Sequence, residues 1–191
     1  MTGAFVICMV VVALRAQSTA ENISDNVLRF HVVANSDTAE DQALKLKVRD
    51  GIVTLTDTYF ADVSDKAEAI ALAEQNRAQI EKNAEEILRQ NGCSDPVRVQ
   101  IKKMNFPTKQ YEDITLPAGE YDAIHITIGE GAGENFWCVM FPALCVGSVS
   151  ESNEKLLGKV LSPSSLDTVR RPYSLKFKTV EWLSRLKQLF K

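Results

Sequence analysis

A chain of 191 residues and 21.2 kDa has the length of one ordinary domain. Hydrophobic residues make up 45% and charged residues 25%, which excludes a disordered chain, a collagen-like fibre and a polytopic membrane protein. The net charge of −3 hides an uneven distribution: Arg15 is the sole charge before Glu21, residues Glu21–Val169 carry 14 basic and 24 acidic side chains, and Arg170–Lys191 carry seven basic and one acidic. Three pieces follow: an apolar segment over 1–20, a body over 21–169 expected to be a single domain, and a basic piece over 170–191.

Ala4–Leu14 is an uninterrupted apolar run of 11 residues. A bilayer-spanning helix needs roughly 20, whereas the core of a secretory signal needs about 7–15. Ser18 and Ala20 supply the small residues that precede a cleavage point, although no Lys or Arg stands before the run. The expectation is an export signal. Val27–Ala34 (VLRFHVVA) reads as a first strand, β-branched and largely apolar. Asn35-Ser36-Asp37-Thr38 then opens a helix with a capping-box pattern, Asp37 with Glu40 or Thr38 with Asp41. Leu44, Val48, Ile52, Leu55 and Tyr59 mark its inner face. Ser64 or Asp65 caps a second helix whose inner face is Ala69, Ala73, Asn76, Ile80, Ala84 and Ile87, and which Asn91-Gly92 ends.

Val97–Lys103 alternates as a half-buried strand. Tyr111–Leu116 and Tyr121–Ile128 flank Leu116-Pro117-Ala118-Gly119, which suggests a β-hairpin turning there. An acidic glycine loop, Gly129–Glu134, and an apolar stretch from Phe136 to Val146 come next. Residues 147–169 are polar and Ser-rich, as in a surface segment. In the tail, Val180, Leu183, Leu186 and Phe190 recur at helical spacing, so a C-terminal amphipathic helix is expected. Its Lys178, Trp182, Arg185 and Lys187 suit an anionic membrane surface, and the alternative is a helix docked on the domain. The fold class is therefore α+β: a strand, two long antiparallel helices, a mainly antiparallel sheet with a hairpin, and a C-terminal amphipathic helix.

Catalytic chemistry finds little support. His31 and His125 each fall inside an expected strand, with no His-x-x-x-His, Cys-x-x-Cys or Gly-x-Ser-x-Gly pattern around them, and a solvent-facing place on a sheet is their ordinary fate. The glycines at 129, 131 and 133 suggest a phosphate cradle, but Glu130 and Glu134 would repel an anion, and two acids do not make a calcium loop. Hydrolysis by a carboxylate pair, Glu120 with Asp122 or Glu130 with Glu134, would require burial to part their pKa values. Solvated turns do not supply that. No metal, cofactor or nucleic acid is implied. Cys138 and Cys145 flank a Pro142-containing segment and suit either a disulfide or two buried thiols.

Three stretches together resemble the stage II sporulation protein R family of spore-forming bacteria. They are LRFHVVANSDTAEDQALKLKVRD (Leu28–Asp50), FPTKQYEDITLPAGEYDAIHITIGEGAGENFWCVMFPALC (Phe106–Cys145) and the apolar N-terminus. Thr38-Ala39 stands where the family often has Ser-Pro, Phe136 replaces the first of two tryptophans, and Ala143 the second of two prolines. The resemblance implies a signalling protein rather than an enzyme. Such proteins are made in the forespore, are secreted into the intermembrane space, and there activate a membrane-embedded aspartic protease of the mother cell, which processes a sigma-factor precursor. The expected partner surface comprises Asn35, Ser36 and Asp37, Phe106 and Pro107, and the loop carrying Gly129, Glu130, Gly131 and Trp137. The competing expectations are the exported hydrolase above and a passive, envelope-associated structural protein.

Overall fold

Strand β1 (Leu28–Val33) is buried along its whole length. In the computed structural model, which describes residues 17–111, 114–145 and 153–170, β1 lies inside a four-stranded sheet of order β2–β5–β1–β6. The partners are β2 (Val97–Phe106), β5 (Gly119–Ile128) and β6 (Asn135–Phe141). β1 pairs parallel to β5, with His31 opposite His125 and Val33 opposite Thr127. It pairs antiparallel to β6, with His31 opposite Trp137, Val33 opposite Asn135, and a register shift between Leu28 and Arg29. The molecule is an α+β protein.

The helices between β1 and β2 follow the sheet's apolar face. A helical segment over 17–26 is α1, and α2 (Ala39–Phe60), α3 (Lys66–Gln75) and α4 (Arg77–Gln90) fill the stretch between β1 and β2. Leu44, Val48, Ile52 and Phe60 of α2 are buried, the Thr56 hydroxyl meets the Met140 sulfur at 3.1 Å, and the Arg49 guanidinium lies 4.8 Å from the centre of the Phe136 ring, which places α2 on the side of β6 that bears Phe136. Thr38 caps α2 by accepting from the amide of Asp41, and Asp65 caps α3 by accepting from that of Glu68.

The second expected helix is broken. At Asn76 both the backbone amide and the side-chain Nδ2 donate to the carbonyl of Leu72, at 3.0 and 2.9 Å, while the Asn76 carbonyl already accepts from Gln79 and Ile80. One residue thus ends α3 and starts α4, because a short amide side chain competes for backbone groups that a continuous helix would use.

By close contact the chain divides into two units. One holds residues 27–103 and the described residues from 122 onward to 145, and so the sheet's central strands and α2–α4. The other holds, among the described residues, 17–26, 104–121 and 153–170. In it β3 (Lys109–Tyr111) pairs antiparallel to β4 (Ile114–Leu116), the Tyr121 hydroxyl donates to the Pro117 carbonyl at 2.8 Å, and Ser165 donates to Asn22 at 2.8 Å. The hairpin therefore lies one arm upstream of its expected place: β4 turns back on β3, and the Pro117-Ala118-Gly119 segment delivers the chain into β5 instead. The Ser-rich stretch contains two short helices, α5 (Asn153–Leu157) and α6 (Pro163–Val169), the latter capped by Ser162 with Pro163 in its first turn. The apolar run Ala4–Leu14 and the tail with Lys178, Trp182, Arg185 and Lys187 lie outside the described residues. No helix among the described residues is long and apolar enough to cross a membrane.

Helices α2 and α4 meet closely at Gly51, where an added Cβ would lie 2.3 Å from Cδ1 of Ile87. Gly51→Leu should lower the urea midpoint by the equivalent of about 1–3 kcal/mol, the usual cost of overpacking, and adding Ile87→Ala should recover part of that loss. A Gly51→Leu variant as stable as the parent would refute the close approach.

Candidate functional site

Strands that pair in parallel end on the same side of the sheet, so the loops leaving β1 and β5 are neighbours. The Asn35 side chain joins them: its Oδ1 accepts from the amide of Glu130 at 3.0 Å, and its Nδ2 donates to the Asp41 carboxylate at 3.0 Å. Its backbone carbonyl accepts from Ala132, and that of Ala34 from Gly133, each at 3.0 Å. Ser36 donates to Asp41 at 2.5 Å, and the Asp37 carboxylate accepts from the amide of Glu134 at 2.6 Å. Lys45, buried on α2, closes the assembly by donating to the Glu134 carbonyl at 2.9 Å.

Electrostatics agree with this wiring. The Ser36 hydroxyl, followed by the Asn35 amide, holds the Asp41 carboxyl below the ordinary carboxylate range. Burial pulls the Lys45 ammonium down, against the opposing pull of Glu134 and Asp37. The glycines have matching reasons. Gly129 has φ of +55°, and a Cβ there would fall 2.3 Å from Asn35 Oδ1; a Cβ on Gly133 would fall 2.3 Å from the backbone oxygen of Ser36. Asn35, Ser36 and Asp37 therefore do more than cap α2. They fasten the 129–134 loop to its N-terminus and leave the side chains of Glu130, Ala132 and Glu134 exposed.

Behind this loop pair the face of the sheet away from α2 carries a polar row that the sequence did not disclose. The two histidines do not face solvent, as their strand positions suggested: His31 is 3% exposed and His125 is half-buried. Their Nδ1 atoms are 2.8 Å apart. His31 Nε2 meets Asn135 Oδ1 at 2.6 Å, and His125 Nε2 meets the Thr127 hydroxyl at 3.1 Å. The Trp137 ring stacks on His31, centroids 3.9 Å apart and 8° from parallel. Burial is the main cause that lowers His31 to about 4, helped by Lys102 and opposed by the Asn135 bond. Burial, then Lys102 and His31, lower His125 to about 4. Both rings are neutral at pH 7.

The other expected site residues are scattered. Phe106 is 3% exposed and meets Tyr121 edge to face at 5.7 Å, so it fills an interior, and only Pro107 of that pair is exposed. Trp137 is a half-buried residue of β6 rather than part of a loop. Cys138 and Cys145 are joined by a disulfide with Cα atoms 5.7 Å apart, around a segment containing the cis Phe141–Pro142 bond. Of the carboxylates weighed for hydrolysis, Asp122 is held by Lys66 at 2.7 Å, while Glu120, Glu130 and Glu134 are exposed. Among the described residues no group of three or more His, Cys, Asp or Glu converges as metal ligands would.

A mixed sheet whose parallel strand ends are clamped together by an Asn-Ser-Asp turn and a glycine loop defines an α+β protein organised around those two loops. The family model for stage II sporulation protein R matches residues 24–151. The stage II sporulation protein R of Bacillus subtilis strain 168 is 32% identical over 195 residues, covering 91% of this chain and 87% of the relative. No solved structure matches. The chain belongs to the stage II sporulation protein R family, and is a sporulation protein.

Two outcomes follow from the geometry. Gly133→Ala, whose methyl would meet backbone rather than a movable side chain, should destabilise the protein and raise amide exchange at Ala132 and Glu134; unchanged exchange would show the loops are not fastened. The histidines bind fewer protons folded than unfolded between about 4 and 6.5, so their contribution to stability is complete above about 6.5 and is lost as pH falls to about 4. Replacing both by Gln should shrink the difference in urea midpoint between pH 7 and pH 4.5, and an undiminished difference would contradict the buried neutral pair.

Proposed function

We propose that this chain is an exported signal that docks on the extracytoplasmic surface of a membrane-embedded aspartic protease of the mother cell and thereby triggers processing of a sigma-factor precursor. Membership of the stage II sporulation protein R family carries the reading, together with the family's role as implied by the motifs Asn35-Ser36-Asp37 and Gly129-Glu130-Gly131. The chain acts as a ligand and performs no chemistry of its own. It is made in the forespore and works in the space between the two cells, which suits a Cys138–Cys145 disulfide.

The fastened loop pair supports a contact role. A loop held by hydrogen bonds on both sides has little conformational entropy left to lose on binding, so its exposed side chains can engage a partner at low cost. Docking turns the protease on only if the active form binds this surface more tightly than the inactive one. Glu130 and Ala132 provide the exposed contacts, held in place by Asn35 and Asp37.

Co-expression with the protease and its precursor substrate, with and without this chain, tests the reading by immunoblot of the cleaved product. Cleavage should require the chain. Glu130→Arg with Ala132→Arg should leave the fold and melting temperature intact yet reduce cleavage at least tenfold. Cleavage independent of the chain would overturn the function, whereas full activity of the double variant would overturn only the contact surface.

A further inference from the structure

The four polar groups Thr127, His125, His31 and Asn135 form one continuous hydrogen-bonded chain across three strands. Its proton arrangement can be deduced. The Asn135 amide oxygen only accepts, so His31 carries its proton on Nε2. A neutral His31 then has a lone pair on Nδ1, so the proton between the rings belongs to His125 Nδ1. His125 Nε2 is left as an acceptor, and the Thr127 hydroxyl donates to it. Every bond is satisfied and all point the same way, from Thr127 to Asn135.

One more proton fits this chain. Added at His125 Nε2, it requires only that the Thr127 hydroxyl rotate from donor to acceptor, after which the cation donates through Nδ1 to His31 as before. A further proton has nowhere to go except His31 Nδ1, where it would face the N–H of His125 across 2.8 Å with a positive charge on each ring. We propose that His31 and His125 form a one-proton site, which accepts a single proton intact and is broken by a second, releasing Trp137 from its stack and freeing the Asn135 end of the loop fastened to Asn35.

The surroundings favour this order. On the same face Lys102 of β2 opposes positive charge at both rings, and Arg29 lies two residues before His31 on β1 with its Nε donating to the Cys138 carbonyl at 3.1 Å. The alternation of β2 places Arg98 with Lys102. On β5 and β6 the neighbouring positions that share this face are Ala123, Thr127, Asn135, Trp137 and Val139. Asn135 is the first residue of β6 and immediately follows Glu134, whose amide is held by Asp37, so rupture of the pair is transmitted directly to the loop.

The test uses the full chain carrying Trp182→Phe, which leaves Trp137 as its one tryptophan. Imidazole nitrogen NMR at pH 7 should show His31 as the Nε2–H tautomer and His125 as the less common Nδ1–H tautomer. On acidification, one proton should be taken up by the two rings together before Trp137 emission changes, and the emission change should accompany the second. Asn135→Asp, which ends the chain on a carboxylate, should raise the first step by at least about one pH unit. The proposal is overturned if both rings are Nε2–H tautomers at pH 7 or if each titrates independently near 6.5. It is equally overturned if Trp137 responds at the first step, or if Asn135→Asp leaves the titration unmoved.

Discussion

The parallel pairing of β1 with β5 is the contact on which the rest of this protein depends. It sets His31 beside His125, and by ending both strands at one edge of the sheet it lays Asn35 beside Gly129. Had these strands run antiparallel, their exits would lie at opposite edges, and the Asn35 side chain could not reach the amide of Glu130. The pairing requires a long crossover between the two strands, and the chain provides it with the helices α2–α4, β2 and the β3–β4 hairpin.

The two loops are built by exchange of polar groups rather than by apolar packing. Asn35, Ser36 and Asp37 each reach beyond their own turn, to Glu130, Asp41 and Glu134 respectively. Side-chain amides and carboxylates that accept backbone N–H groups substitute for strand pairing where the glycines leave the ladder. Gly133 is as small as the site allows, since the Ser36 carbonyl occupies the space of a side chain. A surface formed this way is stiff and polar, which suits recognition by a partner and is a poor setting for acid–base chemistry, because its carboxylates are exposed or already paired.

Much of this was legible from residue order. Capping at Thr38 and Asp65 follows from a hydroxyl or carboxylate three residues before a free amide, a local rule that no tertiary contact overrides. The break at Asn76 had a signal, an Asn amid good helix formers, but the helical periodicity of Ala73, Ile80 and Ala84 outweighed it. The Pro117-Ala118-Gly119 turn chemistry is real, yet turn chemistry does not say which strands pair, and β4 found β3. Phe106 looked like a loop anchor because Pro107 follows it, while the edge-to-face contact with Tyr121 depends on a residue 15 positions away.

The sequence by itself determined the α+β class, most strand and helix positions, and the family, because these rest on local periodicity, capping chemistry and motif order. Charge partition also belonged to it: an apolar start, an acidic body and a basic end are visible in the order of residues alone. Only the tertiary structure decided what Asn35, His31 and His125 do. The contacts that join His31 to His125, His31 to Asn135 and Asn35 to Glu130 each span 94 or more residues of chain, and a strand's neighbours across a sheet are fixed by register, which no local pattern encodes. A histidine in a strand is solvent-facing or buried according to what the sheet places beside it, and here the sheet placed a second histidine.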